Sequence, residues 1–122
     1  MIYLVTKQQE LFQSTTYKIV GVEESLSLLS PLSTVGVDTE TSGLDCHNDT
    51  LLSLQLGCYD FQIVIDCKTI DVRLYKSFLE SDRLFLFWNA RFDLKWLYRY
   101  GIVPKKVYDG FLVEKVMWLG YH

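Results

Sequence analysis

Two short acidic motifs hold the residues of this sequence best placed to do chemistry. In VGVDTETSGLD, residues 35–45, Asp38 and Glu40 are two apart. On a strand, side chains alternate between faces, so both carboxylates point the same way. A core strand would continue with apolar residues there, so two carboxylates aimed together call for an explanation. In NARFDLKWL, residues 89–97, Asn89 and Asp93 are four apart and share a helical face that continues through Trp96, Leu97 and Tyr100. That stripe faces inward and carries a carboxylate. A buried carboxylate protonates or is expelled unless a cation or hydrogen-bond donors compensate it. Neither motif has a Lys or Arg on its inward face. If the 34–40 strand lies beside the strand preceding Asn89, then Asp38, Glu40 and Asp93 converge. Such a set of hard oxygen ligands suits Mg²⁺ or Mn²⁺. Two such ions about 4 Å apart would activate a water and stabilise a departing oxygen in phosphodiester hydrolysis.

Taken singly, each motif has an ordinary structural reading. Asp-x-Glu at a strand end is common turn chemistry. Asn89 can cap a helix, and Asp93 can pair with Arg91 or Lys95 at its edge. The weight lies in the combination, because a strand–helix–strand unit separates the motifs by the length needed to bring them together.

The elements that must position them follow from pattern. MIYLV and YKIVGV (17–22) read as strands, and a helix over 23–29 stops before Pro31. TVGVDTE (34–40), LLSLQLG (51–57) and FQIVIDC (61–67) are strand-like. The three-residue connection between the last two requires an antiparallel hairpin. DVRLYKSFLE (71–80) predicts an amphipathic helix, capped by Asp71, with Leu74, Tyr75, Phe78 and Leu79 on one face. LFLFW (84–88) predicts a buried strand parallel to 34–40, reached by a right-handed crossover. A helix from Ala90 to Tyr100 is stopped by Gly101, and a last helix runs over 111–119 with Asp109 as its cap. The expectation is an α/β fold, a mixed sheet flanked by helices, in a single domain over 1–122 with no internal boundary. Trp88, Trp96 and Trp118 are expected in the core.

Composition narrows the function classes. With 49% hydrophobic and 22% charged residues the chain is globular in type. Its longest apolar runs fall far short of the roughly 20 residues that span a bilayer, so no membrane partner and a cytoplasmic location are expected. Cys46, Cys58 and Cys67 are odd in number and lack zinc-site spacing, consistent with reduced packing residues. A net charge of −3 excludes the basic footprint of proteins held to duplex nucleic acid by charge alone.

VDTETSGLD resembles the first exonuclease motif of the DEDD superfamily of 3'-5' exonucleases, which includes the proofreading domains of family A DNA polymerases and ribonuclease D. LLSLQLG is similar to the strand that follows it. WNARFDLKWLYRYGI resembles the second motif, and VYDGFLVEKVMWLG the region after that. The resemblance covers about residues 34–122 and implies a ribonuclease H-like fold. It implies that Asp38, Glu40 and Asp93 are catalytic metal ligands, with Glu40 near the terminal 3'-hydroxyl. By the same resemblance, Asn89 and Thr41 lie at the terminal nucleotide and Leu44 wedges against its base. The implied substrate is the 3' end of single-stranded DNA, with an RNA-trimming enzyme or a non-catalytic module binding nucleic acid or a partner as the alternatives. The family's third motif, a Tyr or His shortly before a final Asp, has no counterpart in these 122 residues. The expectation is therefore a C-terminally incomplete fold of impaired activity, completed by a polymerase domain or a second chain.

Overall fold

A computed structural model of the chain describes residues 1–8 and 16–110. Among them, strands β1 (Ile2–Val5), β2 (Tyr17–Ile19), β3 (Thr34–Thr41), β4 (Leu51–Gly57), β5 (Gln62–Asp66), β6 (Leu84–Phe87) and β7 (Lys106–Asp109) form one sheet in the order β2-β1-β5-β4-β3-β6-β7. The centre is antiparallel, with β4 between β3 and β5. Both wings are parallel, β1 with β2 and β5, and β6 with β3 and β7. The sheet is therefore mixed, as expected, and 84–87 does run parallel to the acidic strand.

Local chemistry explains the elements that hold the site. At the β4–β5 hairpin, the Cys58 amide donates to the Phe61 carbonyl at 2.9 Å. A Cβ on Gly57 would lie 2.5 Å from that carbonyl oxygen, so the turn requires glycine there. Helix α3 (Ala90–Arg99) ends where Gly101 adopts φ +73°. The Gly101 amide bonds the Tyr98 carbonyl, and the buried Ile102 sends its amide back to Leu97 at 3.0 Å. This double closure satisfies carbonyls the helix would otherwise leave open. Helix α1 (Val22–Leu29) ends ahead of Pro31, as the sequence predicts.

The core gathers Val35 and Val37 from β3, Leu54 and Leu56 from β4, and Phe85 and Phe87 from β6. Against them pack Leu29, Tyr75, Leu79, Trp96 and Leu97 from the helical segments. Each such side chain contributes about 1.5–3 kcal/mol on burial. No helix among the described residues is long and apolar enough to cross a membrane. Cys46, Cys58 and Cys67 are free and half-buried.

Three expectations change. The 71–80 segment is not one α-helix. It opens as a 3-10 turn (Val72–Tyr75), with the Asp71 carboxylate accepting from the Arg73 amide, and only then becomes α2 (Lys76–Leu79). The tighter winding of the first turn shifts the face, so Tyr75, Phe78 and Leu79 are buried while Leu74 is exposed. Trp88 is 57% exposed, because Phe85 and Phe87 take the inward positions of β6 and leave the intervening parity outward. Finally, β7 occupies a stretch for which no strand is expected. The predicted helix over 111–119, and with it Trp118, lies outside the described residues.

Candidate active site

The acidic strand behaves as its alternation requires. Val35, Val37 and Thr39 are buried, while Asp38 and Glu40 stand exposed on the other face, near the end of β3. The register of β3 against β4 shifts between Glu40 and Thr41, a bulge that ends the regular ladder next to the two carboxylates. Asp38 accepts from the Thr39 amide at 2.9 Å and borders an open cleft of about 400 Å³ shared with Gln55, Leu86 and Trp88. Among the described residues, neither Asp38 nor Glu40 is paired with a Lys or Arg.

Asp93 is in a different environment. It is 3% exposed, on the first turn of α3, and its Oδ1 accepts a hydrogen bond from the Thr39 hydroxyl. Burial pushes its carboxyl up to about 6. The hydroxyl of Thr39 opposes that rise, and the negative charges of Asp38 and Asp109 add to it. Thr39, the residue between the two exposed carboxylates, thus ties the strand motif to the helix motif through the sheet.

The other expected site residues divide. Thr41 is half-buried and its hydroxyl donates to the Gly43 carbonyl at 2.8 Å, so it shapes the turn leaving β3. Leu44 is 87% exposed at the crest of that turn. Asn89 is exposed and, with φ +63° and ψ +62°, is the one non-glycine residue with positive φ among those described. Asparagine tolerates this left-handed conformation better than most residues. It occupies the position before α3 but makes no side-chain cap bond.

That cap comes from elsewhere. The carboxylate of Asp109, on β7, accepts from the Asn89 amide through Oδ1 and from the Ala90 amide through Oδ2, both at 3.0 Å. Asp109 is expected to cap a following helix; the structure shows it capping the start of α3, where its charge also complements the helix dipole. It holds in place the turn that carries Asn89 and Asp93.

The donor types suit a hard divalent cation, with carboxylate oxygens and no thiolate or imidazole. Among the described residues, however, no group of three His, Cys, Asp or Glu side chains is drawn close enough to hold a metal. Asp93 presents Oδ1 to Thr39, while the exposed pair lies on the other face of the strand.

The mixed sheet thus carries an exposed carboxylate pair and a buried helix carboxylate, and comparison with known proteins gives the family. A family described as 3'-5' exonuclease matches residues 12–120, and the chain belongs to it. It is 31% identical over 102 residues to DNA polymerase I of Aquifex aeolicus (strain VF5), covering 83% of this chain and 16% of that protein. The chain thus spans about a sixth of that curated relative. The fold matches the catalytic core of RRP6 from Trypanosoma brucei with a TM-score of 0.69 at 17% identity, over 89% of this chain and 28% of the other. It matches Brucella melitensis NrnC at 0.67 and 21% identity (99% and 53%), and Escherichia coli RNase D at 0.65 and 16% (87% and 26%). The ribonuclease H-like expectation is met. Members of the family generally use divalent metal ions.

Proposed function

We propose that the chain hydrolyses phosphodiester bonds at the 3' end of single-stranded DNA, in the manner of a proofreading exonuclease. The observation that carries this is the open Asp38–Glu40 pair, tied through Thr39 to the buried Asp93, in a chain matched to a 3'-5' exonuclease family and to a DNA polymerase I. Asp38 and Glu40 would hold Mg²⁺ or Mn²⁺, joined by Asp93 once its carboxylate leaves Thr39, and the ion would supply charge neutralisation at the phosphate and a more acidic water. Glu40 faces the terminal 3'-hydroxyl, Asn89 and Thr41 position the last nucleotide, and Leu44 lies against its base. A polymerase domain or a second chain is the partner we propose.

The likeness of the fold to RNase D, described as an exoribonuclease, favours a second reading in which RNA ends are the substrate. Matched 3'-labelled DNA and RNA strands, incubated with Mn²⁺ and parent or Asp38→Ala chain, test both readings. DNA shortened from its 3' end by the parent alone supports the first, and preference for RNA supports the second. Equal residual cleavage by the variant would sink both.

A further inference from the structure

On the side of α3 away from Asp93 lies a cleft of about 490 Å³ that Asp38, Glu40 and Asp93 do not line. One wall is the turn after β3, with Leu44, Asp45 and His47. The other is α3, with Lys95, Tyr98 and Arg99. These three follow Asp93 by two, five and six residues, which on a helix places them about 200°, 140° and 240° around from it and about 3 to 9 Å further along. They form one outward face, roughly opposite the buried carboxylate.

The turn is built rather than loose. The Ser42 amide donates to the Thr50 carbonyl at 2.9 Å and the Thr50 amide to Ser42 Oγ at 2.8 Å. The Asp45 amide donates to Asp49 Oδ2, and the Asp49 amide returns to the Asp45 carbonyl at 2.8 Å. Arg99 Nη1 fastens the turn to α3 through the Asp49 carbonyl at 2.7 Å. On this pinned turn Leu44 is almost fully exposed, and across from it Tyr98 is half exposed. Large apolar surface held out on a fixed frame suits contact with a flat apolar group. The cleft's charges are Lys95 and Arg99 against the carboxylate of Asp45, which is already engaged by the His47 amide and by Asn48 Nδ2. The cleft thus pairs two cations with an aromatic and an aliphatic wall, the combination by which proteins hold single-stranded nucleic acid.

We propose that this cleft is a subsite for the single strand leading to the 3' end, with Lys95 and Arg99 on its phosphates and Tyr98 stacked on a base. The assignment rests on the exonuclease reading above and extends it to residues outside the carboxylate site.

The test is the fluorescence anisotropy of a labelled oligothymidylate with the full chain in EDTA, across a series of KCl concentrations, so that binding is read without cleavage. Lys95→Gln is expected to weaken binding and flatten the log–log salt dependence by about 0.7, the loss of one phosphate contact on a single strand. Tyr98→Ala is expected to weaken it about tenfold with the salt slope unchanged, whereas Tyr98→Phe, which keeps the ring, binds as the parent does. Both positions are exposed, and circular dichroism confirms that the variants fold. Parent-like affinity and slope in Lys95→Gln and Tyr98→Ala overturn the cleft alone. A parent chain that fails to bind the strand overturns the cleft together with the reading beneath it.

Discussion

Asp38 and Glu40 on one side, and Asp93 on the other, are the same functional group in opposed surroundings. The strand pair stands in solvent, where water stabilises its charge. Asp93 lies in the interior, its proton affinity raised by burial and its one oxygen engaged by a threonine hydroxyl. The pair is open to solvent. Asp93 is held by the fold, so its first effect is on stability.

That contrast can be broken or sharpened by experiment. The largest effect is expected for Asp38→Ala, which should lower 3'-end cleavage by at least about a hundredfold, more than residues that merely support a ligand cost, while leaving the urea midpoint nearly unchanged. If Asp93→Asn kept full activity in the same assay, Asp93 would be structural only and the exposed pair would be the whole site. Thr39→Val, nearly isosteric, strips the hydroxyl from a buried carboxylate and should destabilise the protein by about 1–3 kcal/mol in urea unfolding.

The same carboxyl gives metal-free protein a pH dependence of definite sign. The folded Asp93 takes up its proton near pH 6, above the ordinary aspartate value of 3.8. Its contribution to stability is therefore full below about pH 4 and is lost as pH rises through about 6. Unfolding of parent and Asp93→Asn across that range should differ in slope; parallel curves would remove the environmental contrast. The smallest effect is expected for Asp109→Ala, about 1 kcal/mol for a lost helix cap, seen as a lower urea midpoint and faster amide exchange at Asn89 and Ala90.

Much of this was legible from spacing. Period-two alternation placed Asp38 and Glu40 together on one face, and period-3.6 spacing placed Asp93 inward with Trp96 and Leu97, because each face is fixed by its own element. Trp88 could also have been read, since Phe85 and Phe87 had already claimed the inward parity. What escaped was non-local. Strand β7 has four residues with no buried alternation, and only its pairing with β6 makes it a strand. Asp109 also reaches a helix start twenty residues earlier in sequence, a contact that local spacing does not reveal. Thr39 looked like an ordinary strand residue until α3 packed over it.

The pairing of β1 has a consequence in time. Ile2 to Val5 lie between β2 and β5 and bond in register with Gln62 to Ile65. During synthesis at about 5–20 residues per second, the segment IYLV therefore waits roughly 3 to 12 seconds before its second neighbour exists. Over that interval one hydrogen-bonding edge of an apolar strand is open to whatever else the cell offers.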